Sequence, residues 1–291
     1  MAEAEIRGSS FHYEEVGQGP AVVLLHGLGG DGHEWVYQKA ALSSRYRVVI
    51  PDLKGHGLSA APSTPVYSPF EHAKDVVALL DHLKIDQAFM VGISAGGFTC
   101  LALALDHTTR VRGMVLLATT AHMDKFTIAV GKKWVDLFQK VGFDAYMDQE
   151  IRDIFYPDWL MEHLDQMAKF KESQRGRDLS GIAPSGAANV TWDVRSRIGK
   201  IKLPTLVVHG LDDRVVDPTS ARILRQTILG SEMKLYPNTG HMLIIERPQE
   251  INELLLGFLE RAAAKTAPPT SPSPSTPSPP TMTDAGPKPE A

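Results

Sequence analysis

Short apolar runs alternate with stretches in which apolar residues recur every three or four positions. The apolar runs cover 22–26, 47–51, 88–92 and 113–118, and the helical periods cover 34–44, 69–84 and 95–107. Continuous apolar runs of strand length read as strands buried on both faces, and their alternation with helices predicts a parallel sheet covered on both sides. The helix at 69–84 carries clear start signals, because Ser68-Pro69-Phe70-Glu71 is a capping box with proline at the first helical position. Phe70, Ala73, Val77, Leu80 and Leu83 then fall on one face. Near the other end, Ile251, Leu254, Leu255, Phe258 and Leu259 repeat that spacing and predict a closing helix.

Between Thr120 and about Gly199 the alternation stops. No β-rich run appears there, but aromatics and methionines recur, among them Trp134, Phe138, Tyr146, Phe155, Trp159 and Phe170. Helical periodicity with breaks at Pro157 and Pro184-Ser185-Gly186 predicts three or four short helices inserted into the sheet domain. Ile201-Lys202-Leu203-Pro204 then leads into Thr205-Leu206-Val207-Val208-His209-Gly210, a further buried strand, and Met233-Lys234-Leu235-Tyr236 into another. The division is therefore a core over 1–120, a helical cap over 121–199, a second part of the core over 200–263 and a tail over 264–291.

Gly92-Ile93-Ser94-Ala95-Gly96-Gly97 sits between the 88–92 strand and the following helix. A serine on so sharp a strand-to-helix turn is pushed out of the sheet with its hydroxyl exposed, so Ser94 is a candidate nucleophile. Such a serine needs a base, and the base an orienting acid. Acidic residues follow the strand ending at Gly210, in Leu211-Asp212-Asp213, and Gly240-His241 follows the last strand. Upstream, His26-Gly27-Leu28-Gly29-Gly30 ends the first apolar run in a glycine-rich loop.

Taken together with Asp52-Leu53-Lys54-Gly55-His56-Gly57-Leu58-Ser59, these segments resemble the α/β-hydrolase superfamily, in the right order, from about residue 10 to residue 262. Within it the chain is most similar to the small bacterial esterase, enol-lactonase and cofactor-free perhydrolase group. Lys54 departs from the arginine usual in that structural turn. The resemblance implies an α/β-hydrolase fold with a helical cap over the active site, and a triad of Ser94, His241 and an aspartate. The family pattern puts the acid three residues after Gly210, which favours Asp213 over its neighbour Asp212. Asp124 lies where some relatives carry their acid. The resemblance further implies that the backbone N–H groups of Leu28 and Ala95 form the oxyanion hole, and no cofactor is implied. The other histidines read as structural: His26 supporting backbone, His56 in its turn, His209 beside its strand, with His33 and His122 read as incidental rather than as edges of the pocket.

The chain's 291 residues, 43% hydrophobic and 22% charged, suit one domain with a full core plus an insertion. A net charge of −4 makes no electrostatic case for nucleic acid or an anionic membrane. The acidic N-terminus reads as no secretory signal, and no apolar run approaches the roughly 20 residues that span a bilayer. The single cysteine, Cys100, falls on the apolar face of its helix and fits a reducing compartment, so the cytoplasm is the expected location. No metal-ligand spacing or phosphate-binding glycine loop is present. Pro, Ser and Thr dominate 266–291, a composition that cannot offset its ordering entropy.

The expected activity is that of a serine hydrolase acting on a small-molecule carboxylic ester or lactone. A perhydrolase using the same triad and a ligand-sensing protein acting through a partner are the alternatives, and a homo-oligomer is left open. Dehalogenase and epoxide-hydrolase chemistry is disfavoured, because those relatives need an aspartate where Ser94 stands.

Overall fold

The computed structural model describes residues 2–176 and 180–266. Eight strands form one sheet: β1 (Ala2–Ile6), β2 (Ser9–Val16), β3 (Ala21–Leu25), β4 (Arg47–Pro51), β5 (Ala88–Ile93), β6 (Val111–Leu117), β7 (Thr205–Gly210) and β8 (Glu232–Tyr236). Their order is β1-β2-β4-β3-β5-β6-β7-β8. From β4 to β8 every pairing is parallel, while β1 and β2 add an antiparallel edge. The α/β architecture with a mostly parallel sheet is thus the one the apolar runs predict.

Four helices pack on the sheet from the first half of the chain and its end: α1 (Val36–Leu42), α2 (Pro69–His82), α3 (Ala95–Asp106) and, closing the chain, a helix over Pro248–Thr266. Successive strand residues face opposite layers. Val23, Leu25, Met90 and Leu116 pack beneath α2 and α3, whereas Val22, Leu24, Val91 and Leu117 join the closing helix. Ser68 caps α2 as predicted, its hydroxyl accepting from Glu71 N at 3.3 Å.

Three features depart from the sequence-based picture. The β1–β2 hairpin was not anticipated; its two-residue turn, Arg7 (φ 49°) and Gly8 (φ 74°), is the doubly left-handed type that matches strand twist. Over 121–199 the described residues hold six α-helices, not three or four: α4 (Lys125–Lys140), α5 (Phe143–Ile154), α6 (Pro157–Glu162), α7 (Leu164–Ser173), α8 (Ala183–Asn189) and the single turn α9 (Arg195–Ile198). Pro184 lies in the first turn of α8 rather than in a break, a position where its missing N–H costs nothing. The chain then re-enters the sheet through α9 (Arg195–Ile198) and β7. The remaining helices are α10 (Thr219–Thr227), α11 (Leu243–Glu246) and α12, the closing helix, which runs on through Ala264 and Lys265, both good helix formers. Beyond Thr266 the expected tail lies outside the described residues.

Cys100 is fully buried in α3, where burial pushes its thiol well above the ordinary range. No helix among the described residues is long and apolar enough to cross a membrane.

Candidate active site

In this topology the chain moves outward from β3 to β4 and then returns to place β5 on the other side of β3. The loops leaving the C-terminal ends of β3 and β5 therefore diverge, and a crevice opens between them. The β3 loop is His26 to Asp31 and the β5 turn carries Ser94.

Ser94 adopts φ 52°, ψ −120°, a conformation that costs a non-glycine residue about 1–3 kcal/mol and persists only when its surroundings enforce it. Here they do: Ser94 N donates to Leu117 O at 2.9 Å, and Ser94 O accepts from Gly97 N at 2.9 Å and Thr119 Oγ1 at 2.7 Å. The glycines around it are dictated by close approach. A Cβ on Gly92 would stand 2.4 Å from Gly96 O, and one on Gly96 would stand 2.1 Å from Leu25 O. Ala95 heads α3, so its N–H has no intrahelical acceptor, and the positive end of the helix points at the serine.

Asp213 follows β7 and is buried, its Oδ1 accepting from Val215 N at 2.8 Å and Val216 N at 3.0 Å. Its Oδ2 accepts from His241 Nδ1 at 2.8 Å. The sequence reading missed a second donor: His209 Nε2 lies 3.0 Å from the same Oδ2 and 3.1 Å from Val216 O. Both neighbours are acceptors, so His209 carries its proton on Nε2. Its i, i+4 spacing from Asp213 was the only signal. Burial pushes the Asp213 carboxyl up, but the charge of His241 and the hydrogen bonds from both histidines outweigh this and hold it well below the usual range. For His241, burial disfavours the charge, while Asp213 and then the more distant Glu34 and Glu246 favour it; the net pKa is raised above the ordinary 6.5.

Asp212 and Asp124 stand apart from this pair. Asp212 N donates to Thr239 O at 3.0 Å, and Asp124 caps α4, accepting from Thr127 N at 2.8 Å. His26 donates from Nδ1 to Gly27 O at 2.7 Å, since its Nε2 accepts from Leu53 N at 2.9 Å. Lys171 of α7 pairs with Asp144 and Asp148 of α5, and Arg175, just beyond α7, pairs with Asp144.

The structure thus joins Asp213 and His241 directly. Gly27, whose N–H donates to Glu34 Oε2 at 3.4 Å, lies close to the serine: a Cβ built on it would stand 3.4 Å from Ser94 Cβ. Ser94 Oγ itself makes no hydrogen bond in this conformation among the described residues. Such a contact is commonly loose until substrate binds. Leu28, in the β3 loop, borders the same small recess as Ala95.

The histidine turn is also tied to the insertion. Ile154 O, at the end of α5, accepts from His241 N at 2.8 Å and Met242 N at 3.0 Å. The Glu246 carboxylate accepts from Gly240 N at 3.0 Å and Tyr156 N at 3.2 Å. Burial raises the Glu246 pKa to about 7, against the pull of those two N–H groups.

A family model described as the alpha/beta hydrolase fold matches residues 20–248, and the chain belongs to that family. It is 30% identical over 263 residues to a Caulobacter sp. (strain K31) protein named "Putative carbamate hydrolase RutD", covering 87% of this chain and 97% of that one. It is 28% identical to 3-oxoadipate enol-lactonase 2 of Acinetobacter baylyi, over 87% of this chain and 94% of the relative. Among solved structures, the enol-lactonase from Burkholderia xenovorans LB400 superimposes with a TM-score of 0.82 at 31% identity, covering 89% of this chain and all of that one.

Proposed function

We propose that the protein is a serine hydrolase that cleaves a small carboxylic ester or lactone through an acyl-enzyme on Ser94. The observation that carries this reading is the buried Asp213–His241 pair, at 2.8 Å, on the same sheet edge as a strained serine at a helix N-terminus. Its relatives' names, an enol-lactonase and a carbamate hydrolase, both denote cleavage at a carbonyl that bears a heteroatom leaving group.

In this mechanism His241 Nε2 takes the proton of Ser94 as Oγ bonds to the substrate carbonyl carbon. The carbonyl oxygen becomes an oxyanion held by the N–H groups of Ala95 and Leu28. Removing one such donor typically costs on the order of a hundredfold in rate. When the tetrahedral intermediate collapses, the bond to the alcohol oxygen breaks and His241 returns the proton to it. Water then repeats the sequence on the acyl-enzyme, releasing the acid and restoring Ser94. Asp213 stays ionised throughout, fixing the Nδ1–H tautomer of His241 and stabilising the imidazolium. The helices α4–α8 act as the cap over this site and select the substrate.

Multiple turnovers on p-nitrophenyl acetate or butyrate are expected. Ser94→Ala is expected to lower kcat by roughly 10⁴- to 10⁶-fold while leaving the fold intact, because the three residues act as a unit. A fluorophosphonate is expected to modify Ser94 alone. A fully active alanine variant, or modification elsewhere, overturns the assignment.

A further inference from the structure

Between α2 and α8, beside Leu28 and Ala95, lies a small recess whose other polar walls are His56, His72, Ser185 and Asn189. Its space for water-sized groups is about 10 Å³, roughly the room one water molecule needs. All four polar residues are buried, with His56 and His72 at 4%, Ser185 at 3% and Asn189 at 6% exposure. His72 Nε2 is 2.8 Å from Ser185 Oγ, so the insertion and the core meet through this pair. His72 Nδ1 is buried without a hydrogen-bond partner. Unpartnered buried polar groups are rare in native proteins because each costs about 1–3 kcal/mol, and one on a residue lining a recess calls for a ligand group that satisfies it.

We infer that this recess is a subsite for a small neutral polar group, a hydroxyl or oxo oxygen on the second or third carbon of the acyl chain. The inference rests on the hydrolase reading above and names the substrate class of the same site. The position on the acyl chain comes from the lining: Leu28 and Ala95 border the recess, and their N–H groups hold the scissile carbonyl oxygen. Only a substituent one or two carbons from that carbonyl reaches in. The size excludes a carboxylate-bearing arm. The chemistry excludes it as well. Burial, with His26 and Lys54 nearby, holds the His72 pKa down to about 3, so the ring is neutral at working pH. Neutral imidazole, hydroxyl and amide groups both donate and accept hydrogen bonds, which suits a hydroxyl better than an anion.

The test compares kcat/KM for ethyl 3-hydroxybutanoate with ethyl butanoate, and for ethyl lactate with ethyl propanoate, on the full chain in a pH-stat. Each value is normalised to the ester's own alkaline hydrolysis rate. One new hydrogen bond to a buried partner predicts a preference of about tenfold for the hydroxy ester in at least one pair. Monoethyl succinate is expected to gain nothing over ethyl butanoate. Asn189→Leu and His72→Phe are each expected to bring the hydroxy preference to within about twofold of unity. If both wild-type ratios are near one while the plain esters turn over, the subsite is wrong and the hydrolase reading stands. A preference for monoethyl succinate, or a hydroxy preference that survives in both folded variants, overturns the subsite too. If no ester is hydrolysed at all, the hydrolase reading falls and the subsite falls with it. The wild-type ratios decide the matter even if a variant fails to fold.

Discussion

Asp212 and Asp213 are neighbours in the chain, yet only one has a buried carboxylate with four donors around it. The amides of Val215 and Val216 hold one oxygen, and His209 and His241 converge on the other. Asp213→Asn is therefore expected to lower kcat by about 10⁴-fold, because the amide favours the wrong histidine tautomer. Asp212→Asn is expected to change it less than about threefold, since nothing in the mechanism uses that side chain. Parallel steady-state assays check both, and the reverse ranking would move the acid by one residue. In the proposed mechanism His241 sets the pH profile. It must be neutral to accept the serine proton, and its pKa is raised above the ordinary 6.5. Activity is therefore expected to fall as pH drops through a midpoint above that value. Glu246→Gln removes one of the three carboxylates that favour the charged imidazole, so the midpoint of the acid limb in kcat/KM is expected to shift downward. A midpoint that does not move would mean Glu246 acts on the turn's position alone.

At the scale of elements, the helical insertion is tied by hydrogen bonds to the histidine turn. The α5–α6 junction supplies the carbonyl of Ile154 to the histidine turn and the N–H of Tyr156 to Glu246, so α11 and the insertion share one clamp. Val130 of α4 and Ile154 also pack with Val215 and Val216, whose amides hold Asp213. Breaking the clamp is expected to disorder the acid–base pair from a distance. Glu246→Ala, which leaves the Gly240 and Tyr156 N–H groups without their acceptor, is expected to cost about 1–3 kcal/mol of stability. It is also expected to lower kcat on a small activated acetate as well as on larger esters. Thermal unfolding and an acyl-length series together check this; a loss confined to long acyl chains would mean the insertion selects substrate without organising the triad.

For the whole molecule, the sheet is the rigid frame. Its residues face two apolar layers, and the site hangs from the C-terminal ends of β3, β5, β7 and β8. Leu259 and Ala262 of α12 already complete one of those layers, so the core does not need the residues after Thr266. Residues 267–291 hold a single large apolar residue, Met282. Truncation after Thr266 is expected to leave the melting temperature within about a degree or two and kcat/KM unchanged, since a core change of only 1 kcal/mol would move Tm by about 2–4 °C in a chain of this size. A larger drop would show that the segment packs on the domain.

The elements were legible in the sequence wherever periodicity is strong. Buried parallel strands are continuous apolar runs, and α2 announces itself through its capping box, so their limits agree with the structure to within a residue or two. The serine turn was legible too, because only glycine tolerates the backbone contacts around Ser94. The β1–β2 hairpin was not, since these two antiparallel strands bury only alternate residues, Ala4 and Ile6 in one and Phe11 and Tyr13 in the other, and leave a weak pattern. Nor were the second donor to Asp213, the Glu246 clamp or the recess between α2 and α8. The clamp and the recess join residues far apart in the chain, as in Tyr156 with Glu246 and His72 with Ser185, while His209 reaches Asp213 across one turn that no apolar period marks. Local pattern determines which segments become strands and helices, because burial on a sheet or helix face repeats at a fixed short period. Which polar side chains meet once those faces have packed is decided only by the tertiary structure, because no period in the sequence encodes it.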